Sequence, residues 1–121
     1  MRISMSNYTI YHNPRCSKSR QTLEILEQKG IQPEVVLYLE DTPTKHELAA
    51  LITKLNLTAR DLLRKGEQAY KDLSLSNPEL TDESLLDTMV QHPKLIERPI
   101  VVYSDKAALG RPPENVLELI N

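Results

Sequence analysis

The chain has 121 residues, 40% of them hydrophobic and 26% charged, with a formal net charge of −2, and it contains neither Trp nor Phe. That length suits one compact core, filled here by aliphatic side chains and a few Tyr. The small net charge gives no global grip on nucleic acid, and no apolar run reaches the ~18 residues that a membrane helix needs, so neither nucleic acid nor membrane is an expected partner. Met1 to Ser6 lacks the apolar stretch of a secretory signal, and a cytoplasmic location is the expectation. The single cysteine, Cys16, forms no internal disulfide and rules out a zinc site built on several thiolates. His12, His46 and His92 lack ligand spacing, so no metal is expected.

In chain order, Tyr8-Thr9-Ile10-Tyr11 is β-branched and aromatic and reads as a strand, which His12-Asn13-Pro14 breaks. A helix follows from about Ser17, with Leu23 and Leu26 on its apolar face and Gly30 as its stop. Val35 to Leu39 reads as a second strand, buried on both faces, and the βαβ order makes the two strands parallel. Thr44-Lys45-His46-Glu47 is a capping box opening a helix, and Thr58 and Thr81 mark two further helix starts. Residues 44–92 therefore read as a helical insertion. Pro99 to Tyr103 and Ala107 to Leu109 form a hairpin around Ser104-Asp105-Lys106, and a last helix runs from Glu114 to Ile120. The whole is an α/β chain with a mixed sheet, βαβ then ββα, with core segments 6–43 and 93–121 around the insertion.

The chemistry concentrates in His12-Asn13-Pro14-Arg15-Cys16-Ser17-Lys18-Ser19-Arg20. A reactive thiol must ionise near neutral pH, whereas a free one has a pKa of ~8.5. Three features favour the thiolate: a helix N-terminus at Cys16, positive charge on Arg15, Lys18 and Arg20, and the hydroxyls of Ser17 and Ser19. His12 adds a hydrogen bond or a charge. Burial as a small filler is the competing role for any lone cysteine, but this setting is polar and basic. A Cys-x-x-Cys dithiol is excluded because position 19 is Ser, and a Cys-x5-Arg phosphatase loop because position 22 is Thr. A monothiol cannot resolve its own mixed disulfide, so an external thiol is required. Arg64, Arg98 and Arg111 are candidate oxyanion donors, the last two fixed by the prolines that follow them. A solvated surface role competes for each.

The same blocks, with Leu37-Tyr38-Leu39-Glu40, Leu62-Leu63-Arg64-Lys65, Glu97-Arg98-Pro99-Ile100 and Gly110-Arg111-Pro112, resemble the glutaredoxin-dependent arsenate reductase family through nearly the whole chain. The resemblance implies a thioredoxin-like fold with a helical insertion and a cis peptide before Pro99. It implies Cys16 as the nucleophile on arsenate or a similar oxyanion. It assigns Arg64, Arg98 and Arg111 to oxyanion binding, and His12, Ser19 and Arg20 to thiolate support. Glutathione is then a co-substrate and glutaredoxin the recycling partner, with no tightly bound cofactor. Arg15 and Lys18 stand where many members have small neutral residues, a charge that favours glutathione or another anion, and many members continue past the last helix. Two other functions fit the same thiol. One is a redox sensor or regulator switched at Cys16; the other is a glutathione-dependent thiol oxidoreductase that does not use arsenate.

Overall fold

The computed structural model describes residues 7–120; Met1 to Ser6 and Asn121, which carry the leader reading and the ends of the expected core, lie outside them. Two compact units emerge. One combines the described residues through Asp41 with those from Arg98 onward, and the other is Thr42–Glu97.

The first unit is built on a four-stranded sheet. β1 (Tyr8–His12), α1 (Ser17–Gln28) and β2 (Glu34–Leu37) come first, followed after the second unit by β3 (Ile100–Tyr103) and β4 (Lys106–Leu109), in spatial order β2-β1-β3-β4. β1 is parallel to β2 and antiparallel to β3, and β3 and β4 form the expected hairpin. Alternation along β1 puts Tyr8, Ile10 and His12 on its buried face. Ile10 packs with Leu26 of α1 and with Val101, Val116 and Leu119, which closes the core. The Tyr8 ring stacks on Tyr103 at 4.4 Å, and its hydroxyl donates to the Leu119 carbonyl. α1 ends before Gly30, whose φ of +78° suits glycine.

Two expectations fail here. β2 ends at Leu37 and is an edge strand, so it is not buried on both faces: Val35 is 43% and Leu37 37% exposed. A continuous apolar run cannot by itself distinguish a central strand from an edge strand with a covered neighbour. The last helix is also broken into a 3-10 turn, Pro113–Val116, and a short α-helix at Leu117–Ile120.

The second unit holds α2 (Lys45–Leu55), α3 (Gln68–Asp72) and α4 (Asp82–Gln91). The capping box forms as read: Thr44 Oγ1 accepts from the Glu47 N–H and Glu47 Oε1 from the Thr44 N–H. Lys45 of α2 pairs with Glu83 and Asp87 of α4. The expected helix after Thr58 is only a 3-10 turn, Arg60–Leu62. Leu63 instead bridges Ile96, with Arg64 N–H donating to the Leu95 carbonyl and Glu97 N–H to the Leu62 carbonyl. That extended pairing takes the backbone groups that a continuing helix would use.

Candidate active site

Strand β1 delivers the chain to a tight loop at its carboxyl end. Asn13 organises that loop: its carbonyl accepts from the Cys16 N–H at 3.0 Å and its Oδ1 from the Arg15 N–H at 3.0 Å. Cys16 is then the N-cap of α1, with extended φ and ψ. His12, the last buried residue of β1, meets Ser19 one turn into the helix, Nδ1 to Oγ 2.6 Å. The same Oγ accepts from the Asn13 N–H at 3.0 Å. From the helix, Arg20 Nη1 donates to the Pro14 carbonyl at 2.9 Å. These bonds tie strand, loop and helix together around the cysteine.

The thiol is partly buried, and that burial pushes its pKa up. Opposing groups prevail, and the net direction is down. They are the Ser19 N–H, the Arg98 charge, the Lys18 N–H and the Arg111 charge. As a neutral thiol Cys16 makes no capping hydrogen bond; the helix N–H groups act on its anion. The helix N-terminus acts on the thiol as the sequence suggests, through the Ser19 and Lys18 N–H groups. Ser19 contributes its main-chain N–H, since its hydroxyl is engaged with His12 and Asn13. Two cationic side chains from distant sequence, Arg98 and Arg111, also lower the thiol's pKa by their charge. Burial, then the charge of Arg20, lowers the His12 pKa, which favours a neutral imidazole.

Arg98 and Arg111 reach this point through the β3–β4 hairpin, and both precede cis prolines, Pro99 as expected and Pro112 in addition. The Gly110 N–H donates to the Pro99 carbonyl at 2.9 Å, and Arg111 Nη1 donates to the Arg98 carbonyl at 3.3 Å. The Nε and Nη1 atoms of Arg98 are shielded from solvent. Gly110 also lies against α1. A Cβ there would sit 2.5 Å from Thr22 Oγ1 and 2.8 Å from the Pro99 ring, so only glycine allows the approach. Thr22 Oγ1 is turned inward, donating to the Lys18 carbonyl at 2.8 Å. Sequence reasoning missed Thr22 and Gly110 as positioning residues; a glycine directly before Arg111-Pro112 was the available signal.

Arg64 belongs to the Thr42–Glu97 unit. Its guanidinium is aimed by two carboxylates, Nη1 to Glu67 Oε2 2.7 Å and Nε to Glu97 Oε1 3.4 Å. Among the described residues, no group of three or more His, Cys, Asp or Glu could hold a metal ion.

Comparison with known proteins agrees with the family resemblance of the sequence. The ArsC family model matches residues 11–119. The chain belongs to the ArsC family. This ArsC-family chain is 53% identical over 112 residues to the uncharacterized Escherichia coli protein YfgD, covering 92% of this chain and 94% of that one. It is 49% identical over 116 residues to an Escherichia coli arsenate reductase, covering 96% and 82%. The solved arsenate reductase from Vibrio cholerae superposes with a TM-score of 0.91 at 51% identity, covering 96% and 98%. The mixed four-stranded sheet of the ArsC chain is accordingly thioredoxin-like. No helix of the described residues is long and apolar enough to cross a membrane.

Proposed function

We propose that this chain reduces arsenate to arsenite in the cytoplasm, using glutathione and glutaredoxin. The observation that carries the proposal is the lone thiol at the N-cap of α1, whose anion is favoured by helix N–H groups and by Arg98 and Arg111. A thiolate beside two guanidinium groups suits attack on a tetrahedral oxyanion, whose charge planar donor forks match.

Cys16 Sγ attacks arsenic, an As–O bond breaks, and water leaves after proton transfer. A glutathione thiolate then attacks Sγ. The new S–S bond forms as the S–As electron pair stays on arsenic, so As(V) becomes As(III) while two thiols become one disulfide. Glutaredoxin takes the glutathionyl group and restores the Cys16 thiol. Arg98 and Arg111 hold the oxyanion and its developing charge. Arg64 shares that role on the strength of its family motif. His12, Ser19 and Arg20 support the thiolate by fixing the loop and helix that present it. The scheme needs neither a metal nor a tightly bound cofactor, and it treats residues 44–92 as an insertion within one reductase domain.

The test is arsenite release by purified protein with arsenate, glutathione and glutaredoxin. Turnover should vanish in Cys16→Ser. Equal rates in the two proteins would remove Cys16 as nucleophile, and no turnover in either would remove arsenate as substrate.

A further inference from the structure

Cys16 is the chain's single cysteine, so the thiol that discharges it comes from another molecule. A cleft of about 340 Å³ runs beside the loop that ends on Cys16, lined by residues 12–15 and by Leu37, Leu39 and Glu40. Topology explains its place. His12 and Leu37 are the last registered pair of parallel strands β1 and β2, and the chain leaves both strands there. The cleft thus lies at the carboxyl ends of two adjacent parallel strands. Its lining is separate from Arg98 and Arg111, which act on the sulfur.

The lining has a definite chemistry. Pro14, Leu37 and Leu39 supply apolar wall, and Leu37 keeps more than a third of its surface exposed on the edge strand. Arg15 and Glu40 add one charge of each sign, both on exposed side chains. The Asn13 bonds fix the backbone of Arg15 directly before the cysteine. We infer that this cleft binds the external thiol as a short zwitterionic peptide of glutathione's class, with Arg15 taking a carboxylate and Glu40 the ammonium. The inference rests on reading Cys16 as the nucleophile. It gives the cysteine two neighbours of different character, an arginine pair for the oxyanion and a mixed cleft for the peptide thiol.

The test uses S-methylglutathione, which binds without reacting, titrated into the chain carrying Cys16→Ser and followed by amide chemical shifts. Shifts should concentrate at residues 12–15 and 37–40. Arg15→Glu should weaken binding about tenfold or more, the size of one charge-assisted hydrogen bond, and Arg15→Lys should restore most of it. Shifts elsewhere, or an affinity unmoved by Arg15→Glu, would overturn the cleft assignment. The outcomes separate from those of the reductase. Arsenate turnover with an unchanged glutathione KM in Arg15→Glu would overturn the cleft and leave the nucleophile standing. Peptide binding at these amides in a chain that does not reduce arsenate would support the cleft and remove arsenate.

Discussion

The arginines of the two units are held by different means. Arg98 and Arg111 are placed by main chain: proline follows each, Gly110 packs against Thr22, and the Gly110 N–H ties the two segments together. Arg64 is aimed by side chains, through Glu67 and Glu97. Backbone placement tolerates neighbouring side-chain changes but fails when a glycine or proline changes. Carboxylate placement has the opposite weakness, because partly exposed ion pairs are screened and individually weak.

The largest expected effect is at Arg98. Arg98→Ala should lower kcat/KM for arsenate by about 10²–10³, the usual cost of removing a donor from a developing oxyanion. Arg98→Lys keeps the charge but loses the planar fork, and should recover only part of the rate. Both should raise the midpoint of the Cys16 alkylation profile, Arg98→Ala more, because the Arg98 charge lowers that pKa. An unchanged midpoint would separate Arg98 from the thiol.

Gly110→Ala comes next. The added Cβ would meet Thr22 Oγ1 at 2.5 Å and the Pro99 ring at 2.8 Å, so the hairpin must move. Overpacking of this kind costs about 1–3 kcal/mol in denaturant unfolding. Displacing Arg111 should also raise the Cys16 alkylation midpoint, which a purely global loss of stability would not do. In a Thr22→Ala background part of the penalty should disappear, and the Pro99 contact should keep the rest. The side-chain-aimed arginine predicts a milder result. Glu67→Gln should cost under about 1 kcal/mol of stability and lower arsenate kcat/KM only severalfold, since the Glu97 contact persists. A loss as large as that of Gly110→Ala would erase the distinction between the two modes of placement.

The same distinction decides what could be read from sequence. The β1–α1–β2 order, the hairpin and the Thr44 capping box were legible because each rests on local signals, and Cys16 stood out by its neighbours. The helix N-terminus behind its activation was legible too, but the distant arginine charges were not. Arg98 and Arg111 act on the sulfur after a chain reversal that periodicity cannot show. The helix after Thr58 was overread for a related reason: its Thr58–Asp61 cap forms, but the Leu63–Ile96 bridge ends the turn. β2 was overread because burial on two faces depends on which strands flank it.

The smallest effect separates the units by pH. The Cys16 pKa is lower folded than in the free thiol, because helix N–H groups and two arginine charges outweigh burial. Its contribution to stability is therefore fully present above the unfolded thiol's value of ~8.5 and is lost as pH falls through the folded value. In the other unit, the Thr58 N–H, then its hydroxyl, lower the Asp61 pKa, so that contribution is lost only as pH falls through the carboxylate range. Urea midpoints across pH should show this directly. The gap between the parent chain and Cys16→Ser should widen as pH rises toward the free-thiol range. The gap to Asp61→Asn should stay level there and close only in acid. A flat Cys16→Ser gap would mean that the helix terminus and the hairpin arginines leave the thiol unperturbed, and the activation of the nucleophile would fall with them.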